Sequence, residues 1–431
     1  MGSLRDELIR GSAGSLGIKG AYLILQFAVG VALARGLGPE GFGIYSFALA
    51  FVALLAIPAQ LGVPGLLLRM VAVYQGHGQA GSLRDLVTRS SKAVALLAVG
   101  MAGGCIVLVM VFDVRPGGAP AGALVVGALL LPALALLAVN RGALCGLGHV
   151  VLGQIPGNIV RPVCLLAALG GLYAMASLNA EAAIAANLGA TGAALALGWW
   201  LWKRRRPNHT GATAEKGDGV EWLRDAFPFL LLAGAQVVNY QADVLMIGLL
   251  MEQRDVGLYR VAVQIADAMG VILVSVSVVI APHLARLHAK GDWSSLRRIL
   301  VAAHRGGFAA LLVLAGLIVL FGEPLLVLLF GVEYAVAFMP LVILVSGKAL
   351  YATVGYAGLA LSMFGLASVA TLVTLVTAGV NVGLNLLLIP SFGTLGAAVA
   401  TVTSAFIVNL CCMIWMAVRL RHDFSALGCK L

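Results

Sequence analysis

Charged side chains are scarce. Asp, Glu, Lys and Arg make up 11% of the 431 residues, and acids are the rarer sign, 18 against 28 Lys and Arg. A water-soluble globule cannot cover its surface with so little charge. The six cysteines, Cys105, Cys145, Cys164, Cys411, Cys412 and Cys429, show no C-x-x-C or Cys/His spacing. That leaves no metal finger or disulfide framework to expect, and they read as small packing residues. HExxH, GxSxG and GxxxxGK[ST] are absent, and no aqueous loop carries an acid pair with room for a sugar donor. Catalysis, a bound metal and a cofactor are therefore not expected. The longest polar stretch, 203–224, is too short to fold around a core of its own. The first apolar run continues to Ala34 without a small-residue cleavage site, so insertion through the first helix is simpler than a removable leader.

What the chain has instead is apolar length. It is 61% hydrophobic with mean hydropathy +1.02. About twelve runs of roughly 20 residues, each long enough to cross a hydrocarbon core of ~30 Å, follow one another. The expected fold is all-α, a polytopic integral membrane protein of about twelve transmembrane helices. A net charge of +10 would suggest nucleic acid in a soluble protein, but here the cations alternate between the two sides of the spans. Arg5, Arg10, Arg84, Arg89, Lys203 to Arg206, Arg286, Arg297 and Arg419 fall on one side, and only Arg35, Arg115 and Arg254 on the other. The positive-inside rule then puts both termini in the cytoplasm. Two expected spans, 41–74 and 256–287, are too long for a straight crossing and contain Pro58, Pro64 and Pro282; bent or tilted helices are expected there.

The chain also repeats itself. Gly43, Tyr45 and Ser82 recur as Gly257, Tyr259 and Ser295, an offset of roughly 213 residues that carries an even number of crossings. Two six-helix bundles of one orientation, 1–202 and 225–431, joined by a basic cytoplasmic linker at 203–224, form a parallel repeat. Such a pair places its binding site between halves near mid-membrane.

Ionisable groups inside spanning helices cost a few kcal/mol or more without a partner or a cavity, so each is a functional candidate. Ser12, Ser15, Lys19, Tyr22 and Gln26 share one stripe of the first helix, either facing a cavity or with Lys19 snorkelling to the headgroups. Gln236, Asn239, Tyr240 and Asp243 share a stripe of the seventh helix, and Arg260, Gln264 and Asp267 one of the eighth. Asp243 and Asp267 could exchange a proton or a cation during transport, or form a static pair with Arg260. Arg161 and Lys348 add positive charge at depth. Lysine and arginine in a low-dielectric cavity suit an anion such as a diphosphate head. Gln26, Gln60, Asn239 and Gln264 could serve sugar hydroxyls while a lipid tail stays in the bilayer.

Three segments carry a family likeness: ALARGLGPEGFGIYSFALAF at 32–51, RGALCGLGHVVLGQIPGNIVRP at 141–162, and NVGLNLLLIPSFGTLGAAVAT at 381–401. In these the chain resembles the polysaccharide transporter and oligosaccharide flippase family of the multidrug, oligosaccharidyl-lipid and polysaccharide exporter superfamily. The resemblance implies two bundles around a cavity that opens alternately to either face. It implies export of undecaprenyl-diphosphate-linked repeat units for O-antigen, capsule or exopolysaccharide across a bacterial inner membrane. A proton or sodium gradient would drive it, with membrane lipids and polysaccharide polymerases as partners and no nucleic acid. The link at 362–368, SMFGLAS, lacks charges common there in the family. Asn381 and Asn385 are expected to be scaffold, bonding across helices. Rival readings are a multidrug cation antiporter, which would be expected to carry an acid where the first helix has Lys19, and a membrane glycosyltransferase or polymerase, which would need a large acidic outer loop.

Overall fold

The computed structural model describes residues 2–207 and 221–420, and no strand occurs among them. The expected linker at 203–224 therefore lies largely outside the described residues, as does Cys429. Among the described residues, ten helices are long and apolar enough to cross a membrane. Two of them, Gly17–Gln60 (44 residues) and Ser368–Met416 (49 residues), are far longer than one crossing needs. Each is interrupted by a glycine, Gly38 at φ 68° and ψ 177° in α1 (Gly2–Gln60), Gly393 at φ 58° and ψ −136° in α13 (Ala367–Leu420). These backbone angles are open to glycine and strained for other residues. Pro39 then begins the second arm of α1, where its missing N–H leaves no bond unmade. Counting both arms, the ten helices make the twelve crossings that the hydropathy predicts.

The chain forms two compact units, residues 1–237 and 238–431. The first contains α1, α2 (Val63–Gly76), α3 (Ala80–Val111), α4 (Ala121–Gly146), α5 (Val150–Ile155), α6 (Arg161–Ala174), α7 (Ala180–Arg205) and the start of α8 (Glu221–Leu250). Its core gathers Leu67 and Leu83 with Val94, Leu131, Val139 and Trp202, and α4 packs against α1, α2, α3 and α7. The second unit contains the rest of α8, then α9 (Gln253–Lys290), α10 (Trp293–Phe330), α11 (Phe338–Tyr351), α12 (Ala357–Met363) and α13. Leu284, Leu296, Leu300, Tyr356, Leu361 and Met416 are buried in its core.

Three expected spans differ from single helices. The 41–74 run breaks at Leu61 and Gly62, both at positive φ (51° and 71°), and restarts as α2. The 150–175 run carries a π-helical turn, Pro156–Val160, between α5 and α6. Pro156 and Pro162 each lack the N–H that would bond four residues back, which loosens the α-ladder around this turn. The 332–364 run is not one helix: after a 3-10 turn, Val332–Ala337, α11 ends at Tyr351 and α12 begins at Ala357. That break is braced from α10. His304, fully buried, has Nδ1 2.9 Å from the Leu300 carbonyl, and its Nε2 accepts the Tyr356 N–H at 3.4 Å. The run expected to bend or tilt, 256–287, lies within α9, whose backbone has no non-helical φ/ψ at Pro282.

Outside the membrane, Asp292 caps α10 by accepting from the Ser295 N–H (3.0 Å) and the Ser294 hydroxyl (2.9 Å). These bonds hold its carboxyl below the usual range. The cap is charged above that range and is lost as pH falls through the lowered value.

Gly393→Ala is expected to destabilise the folded chain by about 1–3 kcal/mol, read as a lower thermal midpoint in detergent. An unchanged midpoint would mean that the interruption tolerates a side chain.

Candidate functional site

Each unit holds a buried polar cluster built around a tyrosine hydroxyl. In the second unit, Asp243 of α8 is 6% exposed, and its carboxylate receives three donors. Tyr259 OH donates to Oδ2 at 2.9 Å and Asn385 Nδ2 donates to Oδ1 at 2.7 Å; the Thr401 hydroxyl also donates to Oδ2. Asn385 Nδ2 lies 3.1 Å from Asn381 Oδ1, and Asn381 Nδ2 donates to Ser404 Oγ at 3.5 Å. All of these except Thr401 are buried. No cationic side chain pairs with Asp243 among the described residues, and Asn385 Oδ1 is buried with no partner there. Asn381 and Asn385, expected as scaffold, do bond across helices, and one of them bonds to the acid itself.

In the first unit the charge is of the other sign. Arg161, the first residue of α6 after the π-turn, donates from Nε to Asn187 Oδ1 at 3.1 Å. Asn187 Nδ2 donates to Tyr45 OH at 2.8 Å, and the Thr191 hydroxyl donates to the Asn187 carbonyl at 2.7 Å. Tyr22 and Tyr45 are both within electrostatic reach of the guanidinium. No acid pairs with Arg161 among the described residues. On the first helix, Lys19 and Gln26 are exposed and Tyr22 is half-buried; the side chains of Ser12 and Ser15 lie outside those described.

The remaining candidates lie outside these two clusters. Asp267 does not pair with Arg260 as considered from the sequence. Its partner is Lys348 of α11, with Nζ to Oδ1 at 2.9 Å, because α11 places the lysine against the same face of α9. Arg260 lies instead over the Tyr240 ring, 5.4 Å from its centroid. Asn239 Nδ2 donates to the Thr374 carbonyl at 3.0 Å, a bond between helices that occupies this amide. Gln264 lies on the α9 stripe with Arg260 and Asp267 and is half-buried. Gln60 and Gln236 line a narrow cavity of about 190 Å³ in the first unit with Ile57, Pro64 and Phe229. That volume is small for a sugar chain. Among the described residues no three His, Cys, Asp or Glu side chains gather to hold a metal.

Sequence reasoning used Tyr45 and Tyr259 only as markers of the repeat and passed over Asn187, Thr191 and Thr401 as site residues. The available signal was the repeat: Tyr259 stands 214 positions after Tyr45, and Thr401 stands 214 after Asn187. Each tyrosine meets that residue of its own unit, Tyr45 with Asn187 at 2.8 Å and Tyr259 with Thr401 at 3.4 Å.

The sequence pattern described as that of polysaccharide biosynthesis proteins matches residues 8–288, well over half of the chain. The chain belongs to that family. The chain also matches the pattern of the lipid II flippase MurJ over residues 163–429. It is thus a multi-pass membrane protein of the multidrug, oligosaccharidyl-lipid and polysaccharide exporter superfamily. One curated relative is the probable low-salt glycan biosynthesis flippase Agl15 of Haloferax volcanii. It is 27% identical over 397 residues, spanning 89% of this chain and 78% of the relative. Among solved structures, an inward-facing multidrug resistance MATE family transporter of the MOP superfamily superposes with TM-score 0.77 at 15% identity, covering 95% of this chain and 98% of its own. Lipid II flippase MurJ in an inward closed conformation gives 0.73 at 12% identity, covering 93% and 86%. At these identities the likeness establishes the fold.

Asn187→Leu removes the acceptor of the Arg161 Nε and the amide that meets the Tyr45 hydroxyl. It is expected to destabilise the protein by about 1–3 kcal/mol, chiefly through the lost Arg161 bond. Tyr45→Phe, which leaves Arg161 bonded, is expected to cost less. Thermal midpoints in detergent give the order, and equal midpoints for the two variants would contradict it.

Proposed function

We propose that the protein is a flippase that carries a lipid-linked oligosaccharide across its membrane, coupled at Asp243 to a proton or sodium gradient. The observation that carries the coupling is the solitary carboxylate. A buried ionised acid without a cation is costly, and three hydrogen bonds offset only part of that cost. A proton or a small hard cation removes the charge, and the groups around it are oxygen donors of the kind sodium takes: the carboxylate, the Asn385 and Asn381 carbonyl oxygens and the Thr401 hydroxyl. The glycan cargo is supported by membership of a polysaccharide biosynthesis family and by the likeness to the Haloferax relative, a probable low-salt glycan biosynthesis flippase.

In this reading Lys19, Tyr22, Gln26 and Arg161 of the first unit, with Asn239, Arg260, Gln264 and Lys348 of the second, meet the polar head. Asp243 and Asp267 are the acids available to ions. The substrate is an undecaprenyl-diphosphate-linked repeat unit for O-antigen, capsule or exopolysaccharide, the membrane is a bacterial inner membrane, and both termini are cytoplasmic. The protein transports rather than catalyses, handing its cargo to a polymerase. The two halves, 1–202 and 225–431, alternate access as bundles. The multidrug antiporter remains the second reading, favoured only by the MATE-like fold.

Deleting the gene is expected to remove surface polysaccharide and leave its lipid-linked unit on the cytoplasmic leaflet. Unchanged polymer with new drug sensitivity would favour the antiporter. Asp243→Asn is expected to reduce export at least about tenfold, equivalent to ~1.4 kcal/mol, at unchanged abundance, and Lys19→Ala to reduce it less. Normal export by both at normal abundance would remove these assignments.

A further inference from the structure

The ion pair between Asp267 and Lys348 is built differently from the Asp243 cluster. Asp243 is dry and receives donors on both oxygens. Asp267 has one partner, the Lys348 ammonium on Oδ1, while Oδ2 is buried without a hydrogen-bond partner among the described residues. Both side chains of the pair remain partly accessible, 31% for the lysine and 27% for the acid. Pairs of that exposure contribute little to stability. Two turns earlier on the same face of α9, Arg260 Nη1 is likewise buried with no hydrogen-bond partner among the described residues, its guanidinium lying over the Tyr240 ring. The group therefore sets two cations against one carboxylate, and its cationic donors exceed what the acid can use. A static clip between helices has no need of the second cation.

Position adds to chemistry. Lys348 lies in the last turn of α11, immediately before the break at 352–356. A Cβ on Gly270 of α9 would come 3.7 Å from the Lys348 Nζ. The ammonium thus rests on the face of α9 that carries Asp267, at the end of a helix that does not continue. Interrupted helices in transporters are where polar cargo is met, because their backbone and end residues are free to turn toward it.

We propose that Asp267 is a resident stand-in for the anionic head of the cargo: it holds Lys348 until a diphosphate displaces it, and Arg260 and Lys348 then share the diphosphate. This rests on the flippase reading above. A diphosphate carries about two negative charges and balances the two cations that one carboxylate leaves in excess. The exchange sets a threshold, since a neutral or singly charged head competes poorly with an acid already in contact. Asp267 is then a specificity residue for headgroup charge.

The test uses the full chain in nanodiscs of neutral lipid, with undecaprenyl diphosphate as probe and uncharged undecaprenol as control. Asp267→Asn, which removes the competitor and keeps the shape, is expected to bind the diphosphate about fivefold more tightly than the native protein, equivalent to ~1 kcal/mol. Lys348→Met is expected to bind it at least about tenfold more weakly, and reversing the pair with Asp267→Lys and Lys348→Asp together is not expected to restore native binding. If Asp267→Asn does not insert, Asp267→Ser takes its place. Native affinity or weaker in the acid variant, or full restoration by the reversed pair, would show a static clip and overturn the proposal while leaving the flippase reading intact. A native protein that does not distinguish the diphosphate from the alcohol would overturn both.

Discussion

In hydrocarbon a backbone N–H or C=O has no water to turn to, and each one left unpaired costs several kcal/mol. Everything in this chain is arranged around that constraint. It makes every crossing helical, and it makes each interruption a place where something else must satisfy the freed groups. The interruptions are few: Gly38, Leu61–Gly62, the π-turn Pro156–Val160, the break at 352–356, and Gly393. Two of them adjoin the cations that the sequence puts at membrane depth. Arg161 follows the π-turn, and Lys348 precedes the 352–356 break, where His304 accepts the Tyr356 N–H. Loosened backbone and intramembrane charge thus coincide, as expected where a polar cargo is handled.

The two buried clusters show how differently one fold accommodates opposite charges. The carboxylate of Asp243, on α8, is enclosed by donors from α9 and from both arms of α13. Arg161 keeps one side-chain bond, to Asn187, and the rest of its fork is uncommitted to any described acid. A guanidinium is weakly hydrated and always charged, so it tolerates a half-dry setting that an ammonium would not. The acid is thereby a closed site suited to a bare ion, and the arginine an open one suited to a group carried on something larger.

The crossings were legible because a run of roughly 20 apolar residues admits almost no other structure. Their interruptions were only partly legible. Pro156, Pro162 and Gly393 mark breaks by their own covalent limits, whereas the break at 352–356 lies in an apolar run and depends on His304, some fifty positions earlier. Intramembrane charges stood out as individual candidates, since a charge in an apolar run is conspicuous. Their partners did not: that Asp267 would meet Lys348 rather than Arg260 depends on how α11 lies on α9, and Arg260, Asp267 and Lys348 fit any of several pairings by type alone. Tyr45, Asn187, Tyr259 and Thr401 are ordinary residues whose importance appears only when their hydroxyls and amides are seen in contact.

The tyrosine contacts bear on how such a protein came about. Tyr45 and Asn187 are matched, at one spacing, by Tyr259 and Thr401. At that spacing Asp243 corresponds to Val29 and Arg161 to Leu375. A duplicated gene whose two copies each kept the bracing contact could lose a charge from one copy and gain its opposite in the other without refolding either. Under such a duplication the brace is kept while the charge diverges, and one bundle yields a pair of specialised descendants.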